Sequence, residues 1–153
     1  MMRSAVLFLS LTMLGFSISL SSHGQRPTPT IDRRVATLIE MTLNSTTEQQ
    51  AFSDLEALGC PAVPAIIERM DDRRSLPIPQ ISLRNKFPQA FEAVRHYGPQ
   101  QVVDALAAIL NQVTGQSFGS VYNGATDAER AATVRAWHDF SHNTPSTRLC
   151  HVG

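Results

Sequence analysis

The sequence carries no excess of charge of either sign. Its 153 residues include 13 basic and 13 acidic side chains. Proteins that bind nucleic acid or other polyanions usually present a basic field to the phosphates. The balance of charge therefore argues against a nucleic-acid partner.

Motifs of phosphate-binding and redox sites are also missing. The sequence contains no phosphate-binding loop and no paired CxxC, which are signatures of nucleotide and thiol–redox chemistry. No spacing favours an acid–base pair of Asp104 with His96, or a nucleophile pair of Cys60 with His96. We therefore expect no enzyme activity and no cofactor.

Only two cysteines are present, Cys60 and Cys150. In an exported chain they can form a disulfide that closes a loop of about 90 residues and stabilises the fold by about 4 kcal/mol on the chain-entropy account. Alternatively, Cys60 is a small buried apolar residue and Cys150 a free thiol in the tail. The sequence leaves both readings open.

The N-terminus has the order of a secretory signal. Arg3 precedes an uncharged run at residues 5–20, and small residues follow, among them Ser22 and Gly24. A basic start, an apolar middle and small residues at positions −3 and −1 predict cleavage between Gly24 and Gln25. The alternative is a retained anchor, but 16 residues that include serine and threonine are short for a membrane span.

Helical periodicity dominates the rest of the chain, so we predict an all-α fold of about six helices. Apolar residues recur at helical spacing, and no segment shows the alternation typical of a sheet. We expect a signal peptide at 1–24, an extended leader at 25–30, a helical domain at 31–142 and a tail at 143–153. The predicted helices are residues 31–43, 47–58, 61–70, 88–97, a segment from Pro99 to about 114, and 127–142.

Local signals give the ends of some of these helices. Thr46 with Gln49, and Thr126 with Glu129, have the spacing of a capping box. The helix ending near Thr114 is apolar nearly all round, so we expect it at the centre of the core.

Two stretches resemble HEAT-like helical proteins. The first, within residues 47–72, consists of Leu55, Leu58-Gly59, Ala62-Val63, Ile66 and Met70-Asp71. The second is ILNQVTGQSFG at 109–119, followed by Arg130, Arg135 and Trp137, and is similar to the end of exported bacterial proteins with such helices. The resemblance implies antiparallel helical hairpins in an irregular array and an exported location, and it implies no activity. The proline-rich segment at 71–86 departs from a regular repeat.

That proline-rich segment is the first candidate for a contact surface. It is a long polar loop of the kind that is often functional. The alternative is a solvated turn whose ion pairs each contribute less than about 1 kcal/mol. Tyr122 is a further candidate, against the alternative that it fills a gap between helices. The candidate partner-binding residues are Asp71, Asp72, Arg73, Arg74, Arg84 and Tyr122.

Histidines at the end of the last helix suggest a metal site. His138 and His142 lie four residues apart, so both can face one metal ion, with His151 as a third ligand. The alternative is a pair of solvated histidines whose charge suits the helix C-terminus.

These observations favour a protein-binding module in the periplasm or outside the cell. Its partner would be an unidentified protein, and toxin neutralisation is one form of such a role. The chain would keep no stable membrane anchor after cleavage. The alternatives are a small metal- or ligand-handling protein centred on His138, His142 and His151, and a structural envelope protein with no ligand.

The mature protein is predicted to begin at Gln25, because signal peptidase would remove residues 1–24. Intact mass spectrometry of the protein recovered from the envelope or the medium measures this cut. Masses with and without reductant decide between a Cys60–Cys150 disulfide and two thiols, because reduction adds hydrogen only to a bonded pair. Recovery of the uncleaved chain from membranes would contradict the prediction.

Overall fold

The computed structural model describes residues 29–86 and 91–150. These residues form a mainly helical domain with one two-stranded antiparallel sheet. The helices are α1 Pro29–Met41, α2 Glu48–Ala57, α3 Val63–Ile67, α4 Val102–Thr114 and α5 Asp127–Asn143, and the strands are β1 Ile81–Arg84 and β2 Val94–Tyr97. The described residues thus contain five α-helices instead of about six. The predicted signal peptide lies outside the described residues.

The central helix is where the sequence predicts it. Every residue of α4 except Val113 is buried, and the helix packs against α2, α3, α5 and β1. Gly115 ends α4 with a φ of 72°, a left-handed conformation that glycine adopts without a steric penalty. An apolar helix contacted from several sides forms the middle of the core.

A buried ion pair joins this helix to α5. The guanidinium of Arg130 donates from Nε to Asp104 Oδ1 at 2.7 Å and from a terminal nitrogen to Oδ2 at 2.9 Å. Asp104 Oδ2 also accepts the backbone N–H groups of Gln100 and Gln101, at 3.0 and 3.1 Å. Asp104 is 0% exposed and Arg130 is 4% exposed. Hydrogen bonds that satisfy both charges are what allow such a pair to be buried.

The helix N-termini agree only in part with those predicted from the sequence. The capping box of Thr126 and Glu129 is confirmed: Glu129 accepts the Thr126 N–H at 2.8 Å, and Thr126 Oγ1 accepts the Glu129 N–H at 3.3 Å. The box predicted at Thr46 is wrong, since α2 is preceded by Thr47 and has no side-chain cap. The predicted extended leader at 25–30 is also too long by its last two residues, because α1 begins at Pro29.

The helix that follows α2 is shorter than predicted. Gly59, with a φ of 63°, separates α2 from a 3-10 turn at Cys60–Ala62, and α3 then covers only Val63–Ile67. Its side chains at Val63, Ile66 and Ile67 are buried, as the periodicity indicates.

The largest departure is a β-hairpin in place of the fourth predicted helix. Residues 94–97, expected within a helix at 88–97, form β2 and pair with β1 in the register Ile81↔Tyr97 to Arg84↔Val94. An isolated bridge, Ser75↔Gln101, continues the antiparallel pairing toward α4. The pairing is interrupted around Pro77 and Pro79, which have no N–H to donate.

The C-terminal tail is fastened to the 3-10 turn at Cys60–Ala62. Leu149 is buried, and Cys150 is disulfide-bonded to Cys60 with a Cα–Cα distance of 6.0 Å. The structure thus selects the disulfide from the two readings of the cysteines. Within residues 29–86 and 91–150, no helix is long and apolar enough to cross a membrane.

Replacing Arg130 by leucine should lower the free energy of unfolding by about 3–5 kcal/mol, because the Asp104 carboxylate would stay buried without its counter-ion. Denaturant titration measures the change. The matched control is Arg135→Leu, at an exposed position of the same helix, which should stay within about 0.5 kcal/mol of the parent. Equal effects of the two substitutions would contradict a stabilising role for the pair.

Candidate protein-binding surface

One edge of the β-hairpin is closed by a side chain of α2. The Gln49 amide donates from Nε2 to the Ser82 carbonyl at 2.9 Å and accepts the Ser82 N–H on Oε1 at 2.8 Å. A single side chain therefore makes the two hydrogen bonds that a neighbouring strand would make. This explains why Gln49 does not cap α2.

Two buried carboxylates of α2 continue this edge. Glu48 accepts the Ile78 N–H at 2.9 Å, and Glu56 accepts the Arg84 N–H at 3.3 Å. They are 1% and 5% exposed. Burial raises the pKa of Glu48, while its hydrogen bond from the Ile78 N–H acts in the opposite direction. The second oxygen of Glu48 accepts no hydrogen bond from the part of the chain described.

The sheet has a buried and an exposed face. Ile81, Leu83 and Tyr97 point into the core. On the other face Ser82 lies opposite His96, with 2.9 Å between Ser82 Oγ and His96 Nδ1. Such close side-chain pairs are typical of positions where the backbone groups point away from the paired strand.

Apolar side chains are exposed on and beside this outer face. Phe91 is fully exposed and Val94 is 42% exposed, and Val94 lies opposite the exposed Arg84. We use the name hairpin face for Arg84, Val94 and His96 on the outer face of the sheet, together with the exposed Phe91 three residues before Val94 in the chain. A combination of an aromatic residue, an aliphatic residue and an arginine is typical of protein interfaces.

The partner-binding residues predicted from the sequence lie in two separate places in the structure. Arg74 donates to both Glu40 oxygens, at 2.9 and 2.8 Å, and to Asp72 Oδ2 at 2.6 Å. The hydrogen bond from Arg74 is the main reason that the pKa of Glu40 is lowered. Asp72 and Arg74 thus form a local ion-pair network with α1, with Asp71 and Arg73 beside them in the chain.

The remaining two predicted residues lie on the hairpin or against it. Arg84 belongs to the hairpin face. The Tyr122 ring packs edge-on against Tyr97, with 5.5 Å between the ring centroids. Tyr122 is thus half-buried against the sheet residue Tyr97 and is not part of the hairpin face. The sequence pattern does not single out Phe91, Val94 or His96 for binding, because these residues fall in the segment predicted to be a helix.

In the described part of the chain, no third metal ligand accompanies His138 and His142. His138 is half-buried and His142 is exposed on α5, while His151 lies outside the described residues. No group of three or more histidine, cysteine or acidic side chains suited to a metal ion occurs within residues 29–86 and 91–150.

Residues 115–119, GQSFG, have the G-x-S-x-G form of a nucleophile elbow, which the expectation of a non-enzyme overlooks. In α/β-hydrolases this motif lies between a strand and a helix, and the serine contacts a histidine. Here it follows α4, and a 3-10 turn at Val121–Asn123 comes after it. The hydrogen-bond contacts of Ser117 Oγ in the described residues are the Gly119 carbonyl and the Tyr122 hydroxyl, each at 3.5 Å. The segment lacks the context of an elbow.

No protein-family model matches the sequence, and searches of curated proteins and of solved structures return no significant match. The resemblance to HEAT-like exported proteins therefore stays a prediction, and the hairpin face is interpreted from its own chemistry.

Replacing Glu48 by glutamine should make the protein progressively more stable than the parent as the pH rises. A raised carboxyl pKa stabilises the folded state fully below the unfolded-state value of about 4.5, and this contribution is lost as the pH rises through the folded-state pKa. Glutamine keeps an acceptor for the Ile78 N–H and removes the buried charge. Thermal unfolding from acidic to neutral pH measures the difference, and parallel curves for the two proteins would refute it.

Proposed function

We propose that this protein is an exported protein-binding module of the cell envelope whose partner contacts the hairpin face. The observation that carries the proposal is the exposure of Val94 opposite Arg84, with the fully exposed Phe91 three residues earlier in the chain. Exposed apolar groups rimmed by polar ones mark interaction sites.

The contacts that hold β1 behind the hairpin face support the same interpretation. The backbone of β1 is held by Gln49 and Glu56, and Ile81 and Leu83 anchor it in the core. A surface that is already ordered before the partner arrives costs less conformational entropy on binding. The hairpin face thus has the preorganisation that favours recognition.

Export is supported by two separate features. Residues 1–24 have the sequence pattern of a secretory signal. The Cys60–Cys150 disulfide is of a kind that persists in oxidising compartments such as the periplasm. Toxin neutralisation is one role compatible with such a module.

Photo-crosslinking in the source organism tests the binding surface. The full-length protein would carry a photoreactive phenylalanine analogue in place of Phe91. We expect one discrete adduct, because a specific partner presents one surface to this position. Arg84→Glu should abolish the adduct, since it reverses a charge within the hairpin face.

The matched control is Arg135→Glu, which makes the same charge change on the exposed side of α5 and should leave the adduct unchanged. An adduct that persists in Arg84→Glu, or that both variants lose equally, would refute the proposed surface. Mass spectrometry of the exported fraction reports separately whether the protein has left the cytoplasm.

A further inference from the structure

A cleft lies between α5 and the loop that joins α4 to α5. Loop residues from 118 to 125 line one side, and α5 lines the other. Its volume is about 410 Å³, which is within the range of small-molecule sites in proteins. The apolar side chains that line it are those of Phe118, Val121, Ala125, Ala132 and Ala136. None of these residues belongs to the hairpin face.

The cleft is also lined by a buried hydroxyl group that lacks a partner. Thr133 is 4% exposed. The other buried threonines of the described chain, Thr42 and Thr114, each donate to a preceding helical carbonyl at 2.7 Å. The Thr133 hydroxyl makes no hydrogen bond to any residue within 29–86 and 91–150. Because a buried hydroxyl without a hydrogen bond is unfavourable, a ligand that bonds to it gains affinity.

The loop leaves this hydroxyl uncovered, because residue 119 is a glycine. A Cβ atom at this position would lie 2.6 Å from Thr133 Oγ1, which is too close for a carbon atom. Apart from its chain neighbours, Thr133 is the one described residue with a heavy atom within 4 Å of that position. The space beside the hydroxyl on the loop side is therefore open to a polar group of a ligand.

The aromatic wall of the cleft is held in place from behind. The Phe118 ring packs edge-on against Trp137, with 4.7 Å between the ring centroids, and it lies 5.5 Å from the Phe140 ring. Trp137 is buried in the core. A wall that is ordered before the ligand arrives lowers the conformational entropy lost on binding.

Charge indicates what kind of ligand fits. Among the described residues that line the cleft, Glu129 is the one ionisable side chain. Its Oε2 accepts the N–H and the hydroxyl of Thr126, each at 2.8 Å. The bond from the Thr126 N–H is the main reason that the pKa of Glu129 is lowered, so this carboxylate stays charged and repels anions. The apolar walls would also strip water from a charged ligand of either sign. An uncharged ligand is therefore favoured.

We propose that this cleft binds a small uncharged organic molecule with a hydrocarbon body and one hydroxyl or carbonyl group. The hydrocarbon body would contact Phe118 and the alanines of α5, and the polar group would hydrogen-bond to Thr133 Oγ1. An apolar pocket with one well-placed polar group is typical of such sites. The proposal is independent of protein binding at the hairpin face.

Phenethyl alcohol, which has an aromatic body and one hydroxyl group, is the probe. Titrated into the isotope-labelled mature protein, it should shift the methyl signals of Ala132 and Ala136 and the amide signal of Gly119. The amide signals of Val94 and His96 on the hairpin should not move. Hydrocinnamate has a similar body but carries a carboxylate, and it should bind at least about tenfold more weakly.

Two substitutions of Thr133 separate ligand binding from stability. Thr133→Val keeps the shape of the side chain and removes the hydroxyl, so it should weaken phenethyl alcohol by about fivefold to tenfold. Thermal unfolding should show no loss of stability in this variant, because the hydroxyl bonds to no described residue. Thr133→Ser keeps the hydroxyl and loses a buried methyl group. It should be less stable than the parent but bind the alcohol within about threefold of it.

Filling the cleft provides a second test. Ala132→Leu places a larger side chain in the cleft and should abolish the shifts produced by phenethyl alcohol. The matched control is Ala128→Leu, an exposed position of the same helix that does not line the cleft, which should leave binding unchanged.

Absence of shifts at millimolar alcohol, or equal affinity for the alcohol and for hydrocinnamate, would refute the proposal. Equal loss of binding in Thr133→Val and Thr133→Ser, or in Ala132→Leu and Ala128→Leu, would refute it as well. In the ligand-free protein, nuclear Overhauser contacts from the Ala132 methyl group to residues 25–28, 87–90 or 151–153 would show that the chain itself fills the cleft, which would also overturn it.

Discussion

The buried carboxylate of Asp104 is the constraint on which the rest of the domain depends. It accepts hydrogen bonds from the Arg130 guanidinium and from the Gln100 and Gln101 N–H groups, and it is fully buried. One side chain of α4 thereby fixes α5 and the end of the β-hairpin relative to the central helix. Because a buried carboxylate left without its counter-ion is strongly destabilising, the other elements must pack so that both the Arg130 and backbone bonds are made.

The hairpin face follows from that constraint. With Gln101 held by Asp104, the bridge Ser75↔Gln101 fixes where the two hairpin segments begin to pair, and the strands then pair with Ile81 opposite Tyr97. A shift of one residue would turn Ile81 and Leu83 outward. The α2 side chains Gln49 and Glu56 hold β1 in this register from its other edge. The exposed positions of Arg84 and Val94 are therefore a consequence of the same packing that forms the core.

The central helix is predictable from sequence, whereas the hairpin is not. The apolar run of α4 and the glycine at 115 are local signals, as is the Thr126–Glu129 box. The strands are four residues each, too short for alternation to stand out, and prolines at 77 and 79 argue against regular structure. β1 pairs with β2 on one edge and bonds to Gln49 of α2 on the other, and no local pattern reveals either contact. The candidate site is accordingly only partly predicted: Arg84 is found, while Phe91, Val94 and His96 are missed.

An open sheet edge carries a cost, because it can pair with another copy of the same chain. In this protein, polar side chains of α2 bond to the outward backbone groups of β1 and so remove the risk on that edge. The β2 edge would need a second set of such side chains. β2 is only four residues long, and a short edge strand offers few main-chain groups to a second copy, which lowers the risk on this edge.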